Sequence, residues 1–248
     1  MLKKGKKKDQ NNQVERKHFV GKMDSIVKGR NGIQFDYTEI YRQLRTNIEF
    51  SSYEKDLKVI GITSTKPSEG KSSVASNLAL MYATKYQNVL LIDCDLRKPV
   101  QHKMFKVSNS YGVSNITKDV VNFDVEDDTN FQRFKEKDME GKLYFLAAGS
   151  KVPNPQELLS SGKFEMFIDK LKTRFEYIII DCPPIFAVSD AVPVTNLSDG
   201  TIFVCSAKDT NKNEAKKALN QLQRNGAHVI GCVLTKVEDT SSYSYGYY

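Results

Sequence analysis

No stretch of 18 consecutive apolar residues occurs in the 248-residue chain, so nothing in it reads as a membrane-spanning helix. The N-terminus is charged but lacks the apolar core of a secretory signal. Cysteine is scarce. Cys94, Cys182, Cys205 and Cys232 form no C-x-x-C pair and lie in or at the ends of apolar runs. They read as buried, reduced thiols of a cytosolic protein rather than disulfides or metal ligands. His18, His102 and His228 are scattered, with no metal-ligand spacing. Positive charge is confined to one end. The formal net charge is +7, yet residues 1–30 hold eight Lys and two Arg against three acids, and the remaining 218 balance 27 basic groups with 27 acidic ones. The globular part lacks the basic bias of a nucleic-acid binder, and no nucleic-acid partner is expected. The Lys3-Lys4-Gly5-Lys6-Lys7-Lys8 cluster could meet anionic lipid at about 1 kcal/mol per Lys, but it reads first as a solvated tail.

What the chain does contain is concentrated in one segment, Ile62-Thr63-Ser64-Thr65-Lys66-Pro67-Ser68-Glu69-Gly70-Lys71-Ser72-Ser73. An apolar run, Leu57 to Ile62, precedes it as a buried strand, and Val74 to Tyr86 follows as a helix. Strand, loop, Gly-Lys-Ser and helix together form the context of a phosphate-binding loop. Backbone N–H groups at the helix start point at phosphates, and the helix dipole favours their charge. Lys71 would bridge the β- and γ-phosphates, and the Ser72 hydroxyl would face Mg²⁺. Ser64 stands where the motif usually has its first glycine.

Two further apolar strands end in acids. Asn88-Val89-Leu90-Leu91-Ile92-Asp93-Cys94-Asp95 delivers two carboxylates, and Tyr177-Ile178-Ile179-Ile180-Asp181-Cys182-Pro183-Pro184 delivers one. Parallel α/β sheets bind ligands at the carboxyl ends of their strands. Three carboxylates beside Lys71 can hold Mg²⁺ and leave one to accept a proton, because Mg²⁺ needs only one or two protein carboxylates besides phosphate and water.

Three segments are expected: a mobile basic arm over 1–34, one α/β domain over 35–240 and a tyrosine-rich tail over 241–248. Asp36 to Phe50 reads as a helix with Tyr37, Ile40, Tyr41, Leu44 and Ile48 on one face and Glu39, Arg42 and Arg45 on the other. Strands are expected at Leu57–Thr63, Val89–Asp93, Leu143–Ala147, Tyr177–Asp181, Thr201–Ser206 and Val229–Thr235. Helices are expected at Ser72–Lys85, Phe164–Thr173, Ala191–Leu197 and Asn213–Arg224. Six buried strands alternating with helices predict a single P-loop domain with a doubly wound, mainly parallel sheet. Asn109 to Asp138 is polar and weakly patterned and reads as irregular helices and loops on the surface. The last eight residues place Tyr243, Tyr245, Tyr247 and Tyr248 among Ser and Gly, which favours an exposed terminus able to accept phosphate.

In their joint order these pieces resemble the bacterial tyrosine kinases of capsule and exopolysaccharide synthesis, the stand-alone cytoplasmic type. The resemblance runs from about Asp36 to Tyr248. It rests on the loop Thr63 to Ser72, the run Leu90-Leu91-Ile92-Asp93-Cys94-Asp95-Leu96-Arg97-Lys98-Pro99 and Ile178 to Pro184. Pro153-Asn154-Pro155-Gln156-Glu157-Leu158-Leu159, the Glu39-x-x-Arg42-x-x-Arg45 helix and the tyrosine tail complete it. It implies ATP and Mg²⁺ as cofactors, with Lys66, Ser68, Glu69, Gly70, Lys71, Ser72 and Ser73 around the nucleotide. Ser72, Asp93, Asp95 and Asp181 would serve the metal, Asp181 through water. Lys71, Asp93 and Asp95 would be catalytic, one of the two aspartates accepting the tyrosine proton. Tyr243, Tyr245, Tyr247 and Tyr248 would be phosphorylated between subunits of a ring joined through Glu39, Arg42 and Arg45. The implied partners are a membrane-embedded polysaccharide chain-length regulator that activates the kinase, a cognate tyrosine phosphatase and sugar-nucleotide enzymes as substrates. The implied location is the inner face of the cell membrane. Ser68 stands where the family more often has Gly, and a Cβ tolerates positive φ poorly. The rival reading is a partitioning or division-site ATPase with the same loop, which also carries a lysine at the Lys66 position. The balanced charge and the tyrosine ending, in place of an amphipathic helix, disfavour it.

Overall fold

Val, Ile and Leu fill the central strands, and in the computed structural model those strands are buried on both faces, as parallel strands under helices must be. The structure describes residues 26–28, 34–51, 56–134, 139–187 and 189–237. In chain order the elements are β1 (Ile26–Lys28), β2 (Gln34–Asp36), α1 (Tyr37–Ser51), β3 (Val59–Ser64), α2 (Lys71–Ala83), β4 (Asn88–Asp93), α3 (Gln101–Met104) and α4 (Val113–Lys118). They continue with β5 (Gln132–Phe134), β6 (Lys142–Leu146), α5 (Pro155–Leu159), α6 (Gly162–Arg174), β7 (Tyr177–Asp181), α7 (Ala191–Leu197), β8 (Gly200–Ser206), α8 (Lys212–Arg224) and β9 (Val229–Thr235).

β1 and β2 form a small antiparallel pair, a strand pairing that the expectation of a mobile arm over 1–34 did not contain. The main sheet has seven strands in the order β5-β6-β4-β7-β3-β8-β9, all parallel except β5. It is the doubly wound, mainly parallel sheet of a P-loop domain, as the strand–helix alternation predicts.

Alternation along each strand divides the core. Leu90, Ile92, Ile178 and Ile180 face the layer of α4 and α6, packing with Phe164, Phe167 and Leu171. Val89, Leu91, Ile60, Ile62 and Ile179 face α2, which is buried almost all round because α1 covers its outer side. Fully burying each such aliphatic side chain contributes about 1.5–3 kcal/mol.

Three elements depart from the sequence reading. The weakly patterned 109–138 region holds the helix α4, in keeping with the expected helices and loops, but it also contributes the antiparallel edge strand β5, which is only three residues long and pairs Arg133 with Tyr144. β9 is not buried. It is an edge strand, and Cys232 and Leu234 on it are exposed. The expectation of four buried thiols therefore holds for Cys94 and Cys182, while Cys205 is half-buried and Cys232 exposed. On α1 the stripe that meets the core runs through Tyr41, Leu44 and Ile48, and Ile40 at its edge is 49% exposed.

Candidate active site

Strand register brings the acids together before any side chain is considered. β4 and β7 pair with Asp93 opposite Asp181, and β3 runs beside β7 with Ile62 opposite Asp181. Adjacent strands lie about 4.8 Å apart, so these carboxylates are near neighbours at the carboxyl edge of the sheet. β3 leaves the same edge at Ser64, and the chain returns as α2 at Lys71.

The loop between them has unusual backbone geometry. Gly70, immediately before α2, has φ 94°, and Ser68 has φ 69°. Position 68 is thus left-handed, a conformation that favours glycine, and Ser68 carries its Cβ there. Ser68 and Ser73 are exposed, whereas Glu69 and Lys71 are buried.

Lys71 is the centre of the site. Its Nζ lies 3.0 Å from Asp181 Oδ1, 3.3 Å from Asp95 Oδ2 and 3.3 Å from Ser72 Oγ. Burial works against its charge, but the Asp181 and Asp95 carboxylates outweigh burial and hold the ammonium proton more tightly than usual. Gln101, at the start of α3, donates from Nε2 to Asp181 Oδ2 at 2.9 Å and to the Ser72 carbonyl at 2.9 Å. It accepts from Ser76 Oγ at 2.8 Å. Asp93 is fully buried. Its Oδ1 accepts the Asp95 N–H, and its Oδ2 accepts the N–H groups of Val100 and Gln101. Burial, and then the Asp181 charge, push Asp93 up to about 8, against the pull of Lys71 and the Gln101 N–H. Asp95 Oδ1 accepts the Lys98 N–H at 3.0 Å. Two residues further on, Arg97 forks onto Asp190 through bonds of 2.6 and 3.1 Å, tying the segment after β4 to the one after β7.

Lys71, Ser72, Asp93, Asp95 and Asp181 therefore converge. Lys66 points elsewhere: its Nζ is 2.6 Å from Glu214 on α8, and its backbone N–H donates to Glu69. Glu39 and Arg42 pair with each other on α1. Arg45 does not share their solvent-facing side. Its guanidinium donates to the Met81 carbonyl at 2.8 Å and to Thr84 Oγ1 at 3.1 Å, because α1 lies against the C-terminal end of α2. Tyr243, Tyr245, Tyr247 and Tyr248 lie outside the described residues. Sequence reasoning missed Gln101 and Asp190. Their roles come from tertiary placement, and no local motif announces them.

Among the described residues, no group of three His, Cys, Asp or Glu is arranged to hold a metal by itself. The donor set still suits a nucleotide-bound Mg²⁺: one hydroxyl and neighbouring carboxylates, with phosphate oxygens completing the shell.

A P-loop nucleotide-binding fold with its acids on the sheet edge defines the class of protein. The AAA domain family matches residues 57–228. The chain is 38% identical over 211 residues to the putative tyrosine-protein kinase CapB of Staphylococcus aureus, covering 85% of this chain and 89% of that protein. The kinase domain of the Escherichia coli tyrosine kinase ETK superposes with a TM-score of 0.75 at 27% identity, over 97% of this chain and 90% of that one. The chimerical protein CapA2B2 gives 0.70 at 32% identity, over 79% and 83%. The chain belongs to the bacterial tyrosine-protein kinases.

Proposed function

We propose that the protein transfers the γ-phosphoryl group of Mg·ATP to tyrosines of its own C-terminal cluster, between subunits of a ring, and so regulates capsular polysaccharide synthesis and export. The observation that carries the chemistry is Lys71, buried between Asp181 and Asp95 with Ser72 beside it.

In this reading residues 66–73 cradle the phosphates. The ammonium of Lys71 moves from its carboxylate partners to the β- and γ-phosphates, where it neutralises charge spread over the transferring group. Ser72 with Asp93, Asp95 and, through water, Asp181 would hold Mg²⁺, which when bound neutralises phosphate charge. Gln101 orients Asp181. Asp93 and Asp95 between them supply the carboxylate that faces the metal and the one that takes the tyrosyl proton as the phenol oxygen attacks phosphorus. The ADP oxygen departs on the opposite side.

The assembly side of the proposal rests on α1, which presents Glu39, Arg42 and the half-exposed Ile40. The names of relatives support the cellular side: the putative tyrosine-protein kinase CapB, and the chimerical protein CapA2B2. We assign as partner a membrane-embedded chain-length regulator that activates the kinase, which would hold it at the inner face of the cell membrane. A cognate tyrosine phosphatase is a further proposed partner, and sugar-nucleotide enzymes are proposed substrates. No helix among the described residues is long and apolar enough to cross a membrane.

The test is phosphosite mapping by mass spectrometry after incubation with Mg·ATP, with and without the regulator's cytoplasmic segment. Lys71→Met should abolish phosphotyrosine, since it removes the charge that stabilises the phosphates; because it also leaves the buried Asp181 and Asp95 without their cation, the variant is first checked to be folded by thermal melt. Near-parental phosphotyrosine in the folded variant would remove the claim.

A further inference from the structure

Glu69 belongs to the phosphate loop by sequence, yet its carboxylate is 1% exposed and both of its oxygens are occupied within the protein. One accepts the Lys66 N–H at 2.8 Å, and the other accepts the hydroxyl of Thr210, in the turn between β8 and α8. The Glu69 carbonyl accepts the hydroxyl of Thr235, the last residue of β9. These bonds close a circuit. Thr210 Oγ1 also accepts the Ser206 N–H at 2.7 Å, and Ser206 Oγ donates to Asp209 at 2.8 Å. Asp209 pairs with Lys236 at 2.6 Å, and the Ala207 N–H donates to the Thr235 carbonyl at 2.8 Å. The fit is close: a Cβ built on Gly70 would lie 3.2 Å from the Thr235 methyl.

A buried carboxylate is tolerated only when its lone pairs are met, and here the loop and the ends of two strands meet them. We infer that Glu69 is a positioning residue that fastens the phosphate loop to the ends of β8 and β9, so that nucleotide affinity depends on its bonds to Thr210 and Thr235. This rests on the nucleotide-binding role of the loop. It adds that the C-terminal end of β9, two residues before Val237, is mechanically part of the nucleotide site.

The experiment uses the full chain and fluorescence titration with N-methylanthraniloyl-ADP and Mg²⁺, steady-state kinetics in ATP, and thermal melts without nucleotide. Glu69→Ala should weaken nucleotide binding about tenfold or more, the scale of losing hydrogen bonds to a charged group. It should raise KM more than it lowers kcat, because the loop would be misplaced in the ground state as well as the transition state. Glu69→Gln should stay within about threefold of the parent, since its carbonyl can still accept from Lys66 and its amide can donate to Thr210. Thr210→Val and Thr235→Val should fall between. Parental affinity in Glu69→Ala would overturn the inference. So would a loss in Glu69→Gln equal to that in Glu69→Ala, because the charge itself would then be acting. If Glu69→Ala does not fold, the two valine variants decide: weaker binding in either, at an unchanged melting temperature, supports the clamp, and parental binding in both overturns it. A parent chain that binds no nucleotide would instead overturn the reading of the loop.

Discussion

At the scale of single residues, one cation meets three acidic side chains, and burial first, then the Asp181 charge, sets how Asp93 titrates. The folded protein keeps the Asp93 proton up to about 8. An unfolded aspartate loses it near about 3.9. Between those values the folded state binds more protons, so this group's contribution to stability falls as pH rises from about 4 to about 8. In melts without nucleotide, the melting temperature of Asp93→Ala relative to the parent should therefore shift in the variant's favour between about pH 5.5 and about pH 8.5. Parallel pH curves would mean that Asp93 does not titrate there. Asp93→Ala and Asp95→Ala should each lower turnover. Loss of the proton acceptor alone is typically worth ~10²–10⁴ in rate and spares nucleotide binding, whereas loss of the metal-side carboxylate weakens both. Titrating nucleotide affinity and turnover for both variants assigns the roles, and full activity in both would make the carboxylates structural. These residues were legible because each ends an apolar run that reads as a strand, and parallel strands deliver their ends to one edge. Gln101 was not legible. It sits eight positions beyond Asp93, and only the turn that Asp93 itself caps brings its amide to Asp181.

At the scale of elements, α1 carries its charges on two different sides. Glu39 and Arg42 are paired at its surface, while Arg45 binds the carbonyl end of α2, where a cation also meets the helix dipole. Arg45→Ala should thus destabilise the subunit by about 1–3 kcal/mol through lost bonds to buried acceptors. Glu39→Ala with Arg42→Ala should change subunit stability by less than about 1 kcal/mol, as for an exposed pair, yet reduce assembly size. Thermal melts and light scattering separate the two effects. An unchanged assembly from the surface double variant, where the parent assembles, would mean that this face is merely solvated. Helical spacing put all three charges on one side because i, i+3 and i+6 differ by about 60° per step, which is enough for the third to turn toward a neighbour. Most of the sheet was legible from its apolar runs. β5 was not, because three residues carry no periodicity. The exposure of β9 was not either, because an edge strand and a central one share the same apolar composition when only sequence is read.

At the scale of the whole molecule, the fold gathers Lys71 and its acidic neighbours, the proposed nucleotide site, at one edge of the sheet, and β9 ends at that same edge, shortly before the tyrosine cluster in sequence. Tails that enter a neighbour's site would be present at high effective concentration although each is a weak substrate. Each phosphate adds about −1.5 to −2 charge at pH 7. Several within six residues would repel one another and the carboxylates around Lys71, so the account has unmodified tails holding the ring and phosphorylated tails releasing it. The direct measurement mixes two variants: a Lys71→Met chain that keeps its tyrosines, and an active chain with Tyr243, Tyr245, Tyr247 and Tyr248 all changed to Phe. After addition of Mg·ATP, mass spectrometry should find phosphate on the tail of the Lys71→Met chain. If that chain stays unlabelled while the parent labels itself and the two variants co-assemble, transfer occurs within one subunit and the account is contradicted.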